Sequence, residues 1–238
     1  MSRLHFLLAL FTTSVGFSAA NCRAEFVGLT GTWHRDASFG TLNTIDDALN
    51  AVDGRIGDAR FGVIDIDYPA GSVNTVSTGS TSLVDFLGTN AYGIQARSGM
   101  SLTDSLYSQL TNSVFVFSGT LDVDETHDND TSDSGIDVTF RVGSDDGFRL
   151  MIGTQVLGSH NVRGFQNTDL DFEFSTAGQY DFELVYFERA GNTGVDLDWR
   201  AGGGSTFESI SISAIPEPSS LAMLGLVSAG LVSRRRRR

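Results

Sequence analysis

Apolar and polar residues alternate in many short segments along this chain, which is the pattern of strands with one buried face. The segments are, in chain order, FVGLTGTWHRD, ARFGVIDIDYPAG, SVFVFSGTLDVD, IDVTFRVGS, FRLMIGTQVLG, DLDFEFST, YDFELVYFERA, GVDLDWRAGG and FESISISA. In SVFVFSGTLDVD the alternation is strict and predicts Phe115 and Phe117 on the same face. Many short strands separated by Gly, Ser and Asn predict an antiparallel β-sandwich or barrel.

Two short segments have helical spacing instead. In NTIDDALNAVDG, Thr44 is a good N-cap, Ala48, Leu49 and Val52 recur at helical intervals, and Gly54 can end the helix. The segment TSLVDFLG predicts one or two further helical turns. No repeat or linker interrupts residues 25–213, so we expect one all-β domain with one or two short helices.

The N-terminal segment, residues 1–24, has the layout of a secretory signal. Arg3 precedes an apolar run from Phe6 to Phe17, and a signal peptidase could cut at the small residues Ser18 and Ala20 or at Ala24. The alternative is a buried core helix, but the N-terminal position and the flanking residues favour a cleaved signal peptide.

The C-terminal segment, residues 214–238, contains an apolar run from Leu221 to Val232 followed by the arginines Arg234–Arg238. As a helix the run would be about 20 Å long, against about 30 Å for the hydrocarbon core of a bilayer. That length suits transient anchoring in the inner membrane better than a permanent span. The arginines should stay cytoplasmic, which leaves the preceding domain outside.

The order of features in this segment resembles a PEP-CTERM sorting tail. Pro216, Glu217 and Pro218 form the tripeptide, and the short apolar helix and the arginine cluster follow it. The resemblance implies cleavage near the tripeptide by an exosortase, in a bacterium that exports exopolysaccharide. An ordinary single-pass anchor is the alternative. With the signal peptide, this tail predicts a secreted or cell-surface protein.

Charge narrows the range of partners. The chain has a formal net charge of −13 and no lysine, and residues 25–215 hold 9 arginines against 28 acidic residues, a charge of −19. Such a domain is repelled by nucleic acid and by anionic membranes, so we expect neither as a partner. Aspartates in loops are suited to calcium. Solubility in a salty medium would explain the total charge equally well, but not local clusters.

One such cluster lies in GSDDGFRL, where Asp145 and Asp146 are adjacent and Gly147 follows. Like charges a few ångströms apart repel by about 1 kcal/mol even in water. A bound cation would relieve this repulsion. A solvated turn is the alternative, because Asp and Gly are favoured turn residues without any ligand.

Three separated motifs resemble those of a PA14 domain. They are the opening GLTGTWH, then FRVGSDDGFRLMIGTQVL, and finally AGQYDFELVYFERAGNTGVDLDW. The resemblance spans most of residues 26–200 and implies a β-sandwich or barrel. In sugar-binding members of this family, two consecutive aspartates joined by a cis peptide bind calcium, and the calcium contacts sugar hydroxyls.

That resemblance implies specific roles for residues of this chain. Asp145 and Asp146 would be calcium ligands, Gly147 would let the backbone turn away, and Asn192 is a further candidate ligand. A glycan such as an exopolysaccharide is then the expected partner. One departure is that only RAGGGSTFES follows Trp199, where sugar-binding members of the flocculin type add a second long loop.

Other chemistry has little support. The loop aspartates Asp128, Asp130 and Asp133 lack the glycine and the final glutamate of an EF-hand, so a solvated loop is expected. The chain has no H-E-x-x-H and no G-x-S-x-G motif, and without lysine it cannot form a P-loop. No pair of carboxylates is marked as a glycosidase pair. We therefore expect no catalytic residues.

The sequence as a whole predicts an exported surface or extracellular-matrix protein with one PA14-like domain that binds calcium and, through it, carbohydrate. A purely structural matrix protein is one alternative. A secreted glycoside hydrolase is the other, although PA14-like domains in hydrolases accompany a separate catalytic domain.

Overall fold

The computed structural model describes residues 25–35, 39–71, 73–127 and 135–212. Its strands are β1 Glu25–Arg35, β2 Ala59–Val63, β3 Asp67–Tyr68, β4 Val76–Ser77, β5 Ala91–Ala96, β6 Ser113–Val123, β7 Ile136–Asp145, β8 Gly147–Ile152, β9 Gln155–His160, β10 Gln166–Phe174, β11 Gly178–Glu188, β12 Asn192–Ala201, β13 Glu208–Ser209 and β14 Ser211–Ile212. The α-helices are α1 Ile45–Val52 and α2 Leu83–Leu87. Single 3-10 turns cover Gly88–Asn90, Ser105–Ser108 and Glu125–His127.

Within these ranges the strands form two sheets. The larger has the order β5-β2-β1-β6-β11-β8-β9, with β14 beside β1, and the smaller has the order β10-β7-β12-β13, with β3 and β4 also paired to β12. Only the short β1–β14 pair is parallel among the described strands. The two sheets enclose a common core, so the predicted all-β sandwich with short helices is confirmed.

The core between the sheets is rich in aromatic residues. Phe115 and Phe117 lie on the inner face as predicted, both fully buried, with their rings stacked 6.1 Å apart. Tyr68 stacks on Phe117 at 5.7 Å, and Trp33 lies 6.4 Å from Phe115. Aromatic side chains bury large areas, so this cluster supplies much of the stability of a domain whose residues 25–212 include no cysteine.

Helix α1 covers part of the outer face of the larger sheet, where Ala48 packs with Val114 and Phe187. The helix begins as predicted, because the Thr44 hydroxyl accepts from the Asp47 N–H at 3.1 Å and the Asp47 carboxylate accepts from the Thr44 N–H at 2.9 Å. This reciprocal pair is a capping box. The sheet is therefore buried on both faces at this end.

Several segments differ from the pattern-based prediction. The segment FRLMIGTQVLG forms the two strands β8 and β9, FESISISA forms β13 and β14, and β4 was not predicted. Residues 59–71 form two strands instead of one, since β2 belongs to the larger sheet and β3 to the smaller. The chain crosses the core between them with Ile66 buried. Strand β5, AYGIQA, was not predicted because it is a half-exposed edge strand that does not alternate.

Several predictions fall on residues outside the described ranges. They concern the signal peptide at 1–24, the acidic loop residues Asp128, Asp130 and Asp133, and the tail at 214–238 with its apolar run. Among the helices of the described ranges, none has the length and apolar character required to cross a membrane.

Candidate metal centre

Three carboxylates converge where the chain passes from one sheet to the other. Strand β7 ends at Asp145, opposite Gly194 of β12 in the smaller sheet. Strand β8 begins two residues later in the larger sheet, with Gly147 opposite Phe187 of β11. Because Glu188 is the last residue of β11, its side chain reaches the crossing point at Asp146.

The side chains of Asp145, Asp146 and Glu188 each offer a carboxylate oxygen, and these oxygens lie within 4.8 Å of one another. The three residues are 9%, 3% and 0% exposed, respectively. The peptide bond between the two aspartates is cis. In the part of the chain that the structure describes, no other group of three acidic, histidine or cysteine side chains is so arranged. Carboxylate oxygens are hard ligands, so the cluster could hold a metal ion.

Neutral groups hold the two aspartates in place. The Arg189 N–H donates to Asp146 Oδ2 at 2.7 Å, and the Ser144 hydroxyl donates to the Asp146 carbonyl at 2.9 Å. The Tyr186 hydroxyl donates to the Asp145 carbonyl and accepts from the Gly194 N–H at 3.1 Å. These bonds fix the backbone around the carboxylates without neutralising their charge.

One carboxylate oxygen of Glu188 lacks a hydrogen-bond partner among the described residues. Its Oε2 lies 3.3 Å from the Tyr186 hydroxyl oxygen, whose proton is donated to the Asp145 carbonyl, and its Oε1 is buried with no hydrogen-bond partner among the described residues. None of the ion pairs within the described ranges includes any of the three carboxylates. A buried, unpaired carboxylate is costly, and a cation at this point would satisfy it.

Sequence reasoning missed Glu188. A signal was available, because Leu184, Tyr186 and Glu188 share one face of β11 by the period of two, and the first two are core residues. An acidic residue on the inward face at the end of an apolar strand is unusual enough to mark a site.

The electrostatics of the cluster follow from its burial. Burial raises the pKa of Asp145 to about 6, and the neighbouring Asp146 charge adds to this effect. Burial also raises the pKa of Asp146, while the N–H group of Arg189 opposes the rise. For Glu188, burial and the charges of both aspartates raise the pKa to about 10. Without a cation, the three groups therefore resist being ionised together.

Two other predicted residues lie near this crossing. Gly147 has no left-handed backbone angle, but a Cβ atom there would overlap the carbonyl oxygen of His160 and the ring of Phe187. Asn192 is exposed at the start of β12 and pairs with Ser77. Its role as a ligand stays a prediction.

Known proteins resemble this chain in two respects. Residues 214–238 match the PEP-CTERM protein-sorting motif, which implies export to the cell envelope or surface and processing by an exosortase. No curated protein sequence matches the chain.

The second resemblance is to solved structures. The PA14 domain of the MpAFP antifreeze protein is 21% identical with a TM-score of 0.61, over 77% of this chain and 87% of that one. A PA14 sugar-binding domain from an RTX adhesin is 20% identical with a TM-score of 0.57, over 78% of this chain and 98% of that one. The chain thus has the PA14 fold and carries the sorting motif, as its sequence suggested.

Proposed function

We propose that this is an exported cell-surface or extracellular-matrix protein whose domain binds one calcium ion through Asp145, Asp146 and Glu188. One observation carries the proposal. The buried Oε1 of Glu188 has no hydrogen-bond partner among the described residues, and it lies beside two buried aspartates. Calcium accepts six to eight oxygen ligands in flexible geometry. Three carboxylates therefore leave coordination positions for carbonyl oxygens, for Asn192 or for an external ligand.

The open positions suggest a carbohydrate ligand. Calcium accepts water among its oxygen ligands, and two neighbouring hydroxyls of a sugar could take the place of such waters on the side of Asp145, the most exposed of the three residues. One of the solved structures with this fold is described as a sugar-binding domain. We infer that an exopolysaccharide or another surface glycan binds at the calcium ion, and that the protein has no enzymatic activity of its own.

Calcium binding is tested by thermal melting of chelator-treated protein. Calcium at a hundredfold excess over its dissociation constant should stabilise the native state by about 2.7 kcal/mol. For a domain of this size that corresponds to a rise in melting temperature of roughly 5–10 °C. Magnesium should substitute poorly, because it requires a tight octahedral shell and loses water reluctantly.

Matched variants locate the ion. Asp145→Asn should abolish most of the rise, whereas Asp122→Asn, at an exposed position of β6, should keep it. Glu188→Gln should also lose most of the rise without lowering the melting temperature of the metal-free protein, because it removes a buried acid. An unchanged melting curve with millimolar calcium, or an equal rise in Asp145→Asn, would contradict the proposal.

Carbohydrate binding is tested separately with a glycan array, read in calcium and in chelator. Calcium-dependent binding that Asp145→Asn removes is the expected result. Calcium stabilisation without any glycan binding would indicate a structural matrix protein, and hydrolysis of the glycans would indicate an enzyme.

A further inference from the structure

A second concave site lies at the same end of the larger sheet. It is a cleft of about 510 Å³ whose described lining includes Arg35, Phe39, Ser108, Gln109, Thr111 and Asn112. Ligand sites for small molecules have volumes of roughly 300–1,000 Å³. None of the three carboxylates of the candidate metal centre lines this cleft.

The cleft and the metal centre are neighbours. Arg35 ends β1 and pairs with Ser113 of β6, which in turn pairs with Glu188 of β11. The Asn112 N–H donates to the Arg189 carbonyl at 3.0 Å, and the Arg189 N–H donates to Asp146 Oδ2 at 2.7 Å. One residue, Arg189, therefore separates the wall of the cleft from the acidic cluster.

The only charged side chain among the described lining residues is Arg35. Its Nε donates to the Thr111 carbonyl at 3.1 Å and its Nη1 to the Leu106 carbonyl at 2.5 Å, so both partners are neutral. The carboxylate of Asp58 is already used, since it accepts from the Arg35 backbone N–H at 2.8 Å and pairs with Arg97 at 2.9 Å. The half-buried guanidinium of Arg35 thus has no counter-charge in the described part of an acidic domain.

The uncharged residues that line the cleft combine polar side chains with an aromatic ring, a combination suited to binding a sugar. Asn112 has a left-handed φ of 52°, the only such angle at a non-glycine residue of the described ranges, and its Oδ1 is buried without a hydrogen-bond partner. A rotation of the Asn112 side chain toward the cleft would let a ligand hydroxyl supply the missing donor. Gln109 and Ser108 offer further polar groups, and the ring of Phe39 offers an apolar surface.

We propose that this cleft binds a saccharide residue that carries a carboxylate. Arg35 would pair with the carboxylate through its planar fork, and Asn112 and Gln109 would contact the hydroxyls. The site does not require a metal ion, so it goes beyond the calcium-dependent binding proposed above. If Arg35 instead only ties the 105–111 segment to β1, an acidic sugar will have no advantage over a neutral one.

The test is isothermal titration calorimetry in chelator with two oligosaccharides of equal length, one containing glucuronic acid and one with glucose at that position. A charge-assisted, bidentate contact predicts that the acidic oligosaccharide binds about tenfold or more tightly than the neutral one. Arg35→Gln should remove this preference, while Arg60→Gln, at an exposed position of β2, should keep it.

Asn112→Gly is the second variant, because glycine keeps the left-handed backbone and removes only the amide. It should weaken binding several-fold, and its melting curve reports whether the fold is intact. Repeating the titration with calcium in place of chelator should leave the affinity unchanged. Equal affinities for the two oligosaccharides, no binding of the acidic one, or binding that requires calcium would each overturn the proposal.

Discussion

At the residue scale, the backbone next to the candidate metal centre depends on the absence of a side chain at Gly147. It follows the two aspartates at a point where the His160 carbonyl and the Phe187 ring leave no room for a Cβ atom. Gly147→Ala is therefore expected to shift the start of β8 and lower the free energy of unfolding by about 1–3 kcal/mol, as overpacking in a core does. Thermal melting without calcium measures the change in stability. Melting with calcium measures how much of the calcium-induced rise in melting temperature the variant loses.

The matched control is Gly164→Ala, in the loop between β9 and β10. A Cβ atom there meets nothing within 4 Å, and the backbone angle is ordinary. Its stability should change by no more than about 0.5 kcal/mol. Equal melting temperatures for the two variants would show that the space around Gly147 adjusts without cost.

At the scale of elements, the contact of β3 with β12 brings four carboxyl groups together. Asp67 of β3 pairs with Asp196 of β12, and Asp65 and Asp198 lie close enough to affect them. Burial, with the charges of the other three, raises the pKa of Asp196 to about 7, and burial also raises that of Asp65 to about 6. Arg141 interacts with Asp196 and Asp198 but makes its ion pair with Asp169, at 2.7 Å.

This arrangement predicts how stability depends on pH. A carboxyl group whose pKa is higher in the folded state than in the unfolded state stabilises the fold fully below about pH 4. That contribution is lost as the pH rises through the folded value of about 7 for Asp196. In chelator, the melting temperature should therefore fall between pH 4 and pH 7.

The variant Asp196→Asn separates this group from the other acids of the domain. After allowance for solvent screening, it should add on the order of 1 kcal/mol at pH 8, or roughly 2–4 °C, and flatten the pH dependence. Asp122→Asn serves as the exposed control. A melting temperature that rises from pH 4 to pH 7 in the same way for both variants would contradict this account.

At the scale of the whole molecule, an acidic domain is followed by a sorting motif that ends in a cluster of arginines. We predict that exported protein from its native host ends near Pro216 and lacks the arginines Arg234–Arg238. Intact-mass spectrometry of that protein measures this directly. A mass that retains the apolar run Leu221–Val232 would instead indicate a protein that stays anchored in the membrane.

Much of this domain was determined by the sequence itself. The period of two predicted most of the strands and the shared face of Phe115 and Phe117, and Thr44 predicted the start of α1. Asp145 and Asp146 were identified because they are adjacent and lie in a recognisable motif. These features depend on residues that are close together in the chain, where local geometry links pattern to structure.

Only the tertiary structure decided which distant residues meet. Glu188 joins the aspartates because β11 ends beside the crossing from β7 to β8, and Arg35 and Asn112 line one cleft because β1 pairs with β6. The split of residues 59–71 between two sheets has the same origin. Strand order and register set these contacts, and a local pattern of apolar and polar residues is compatible with many orders and registers.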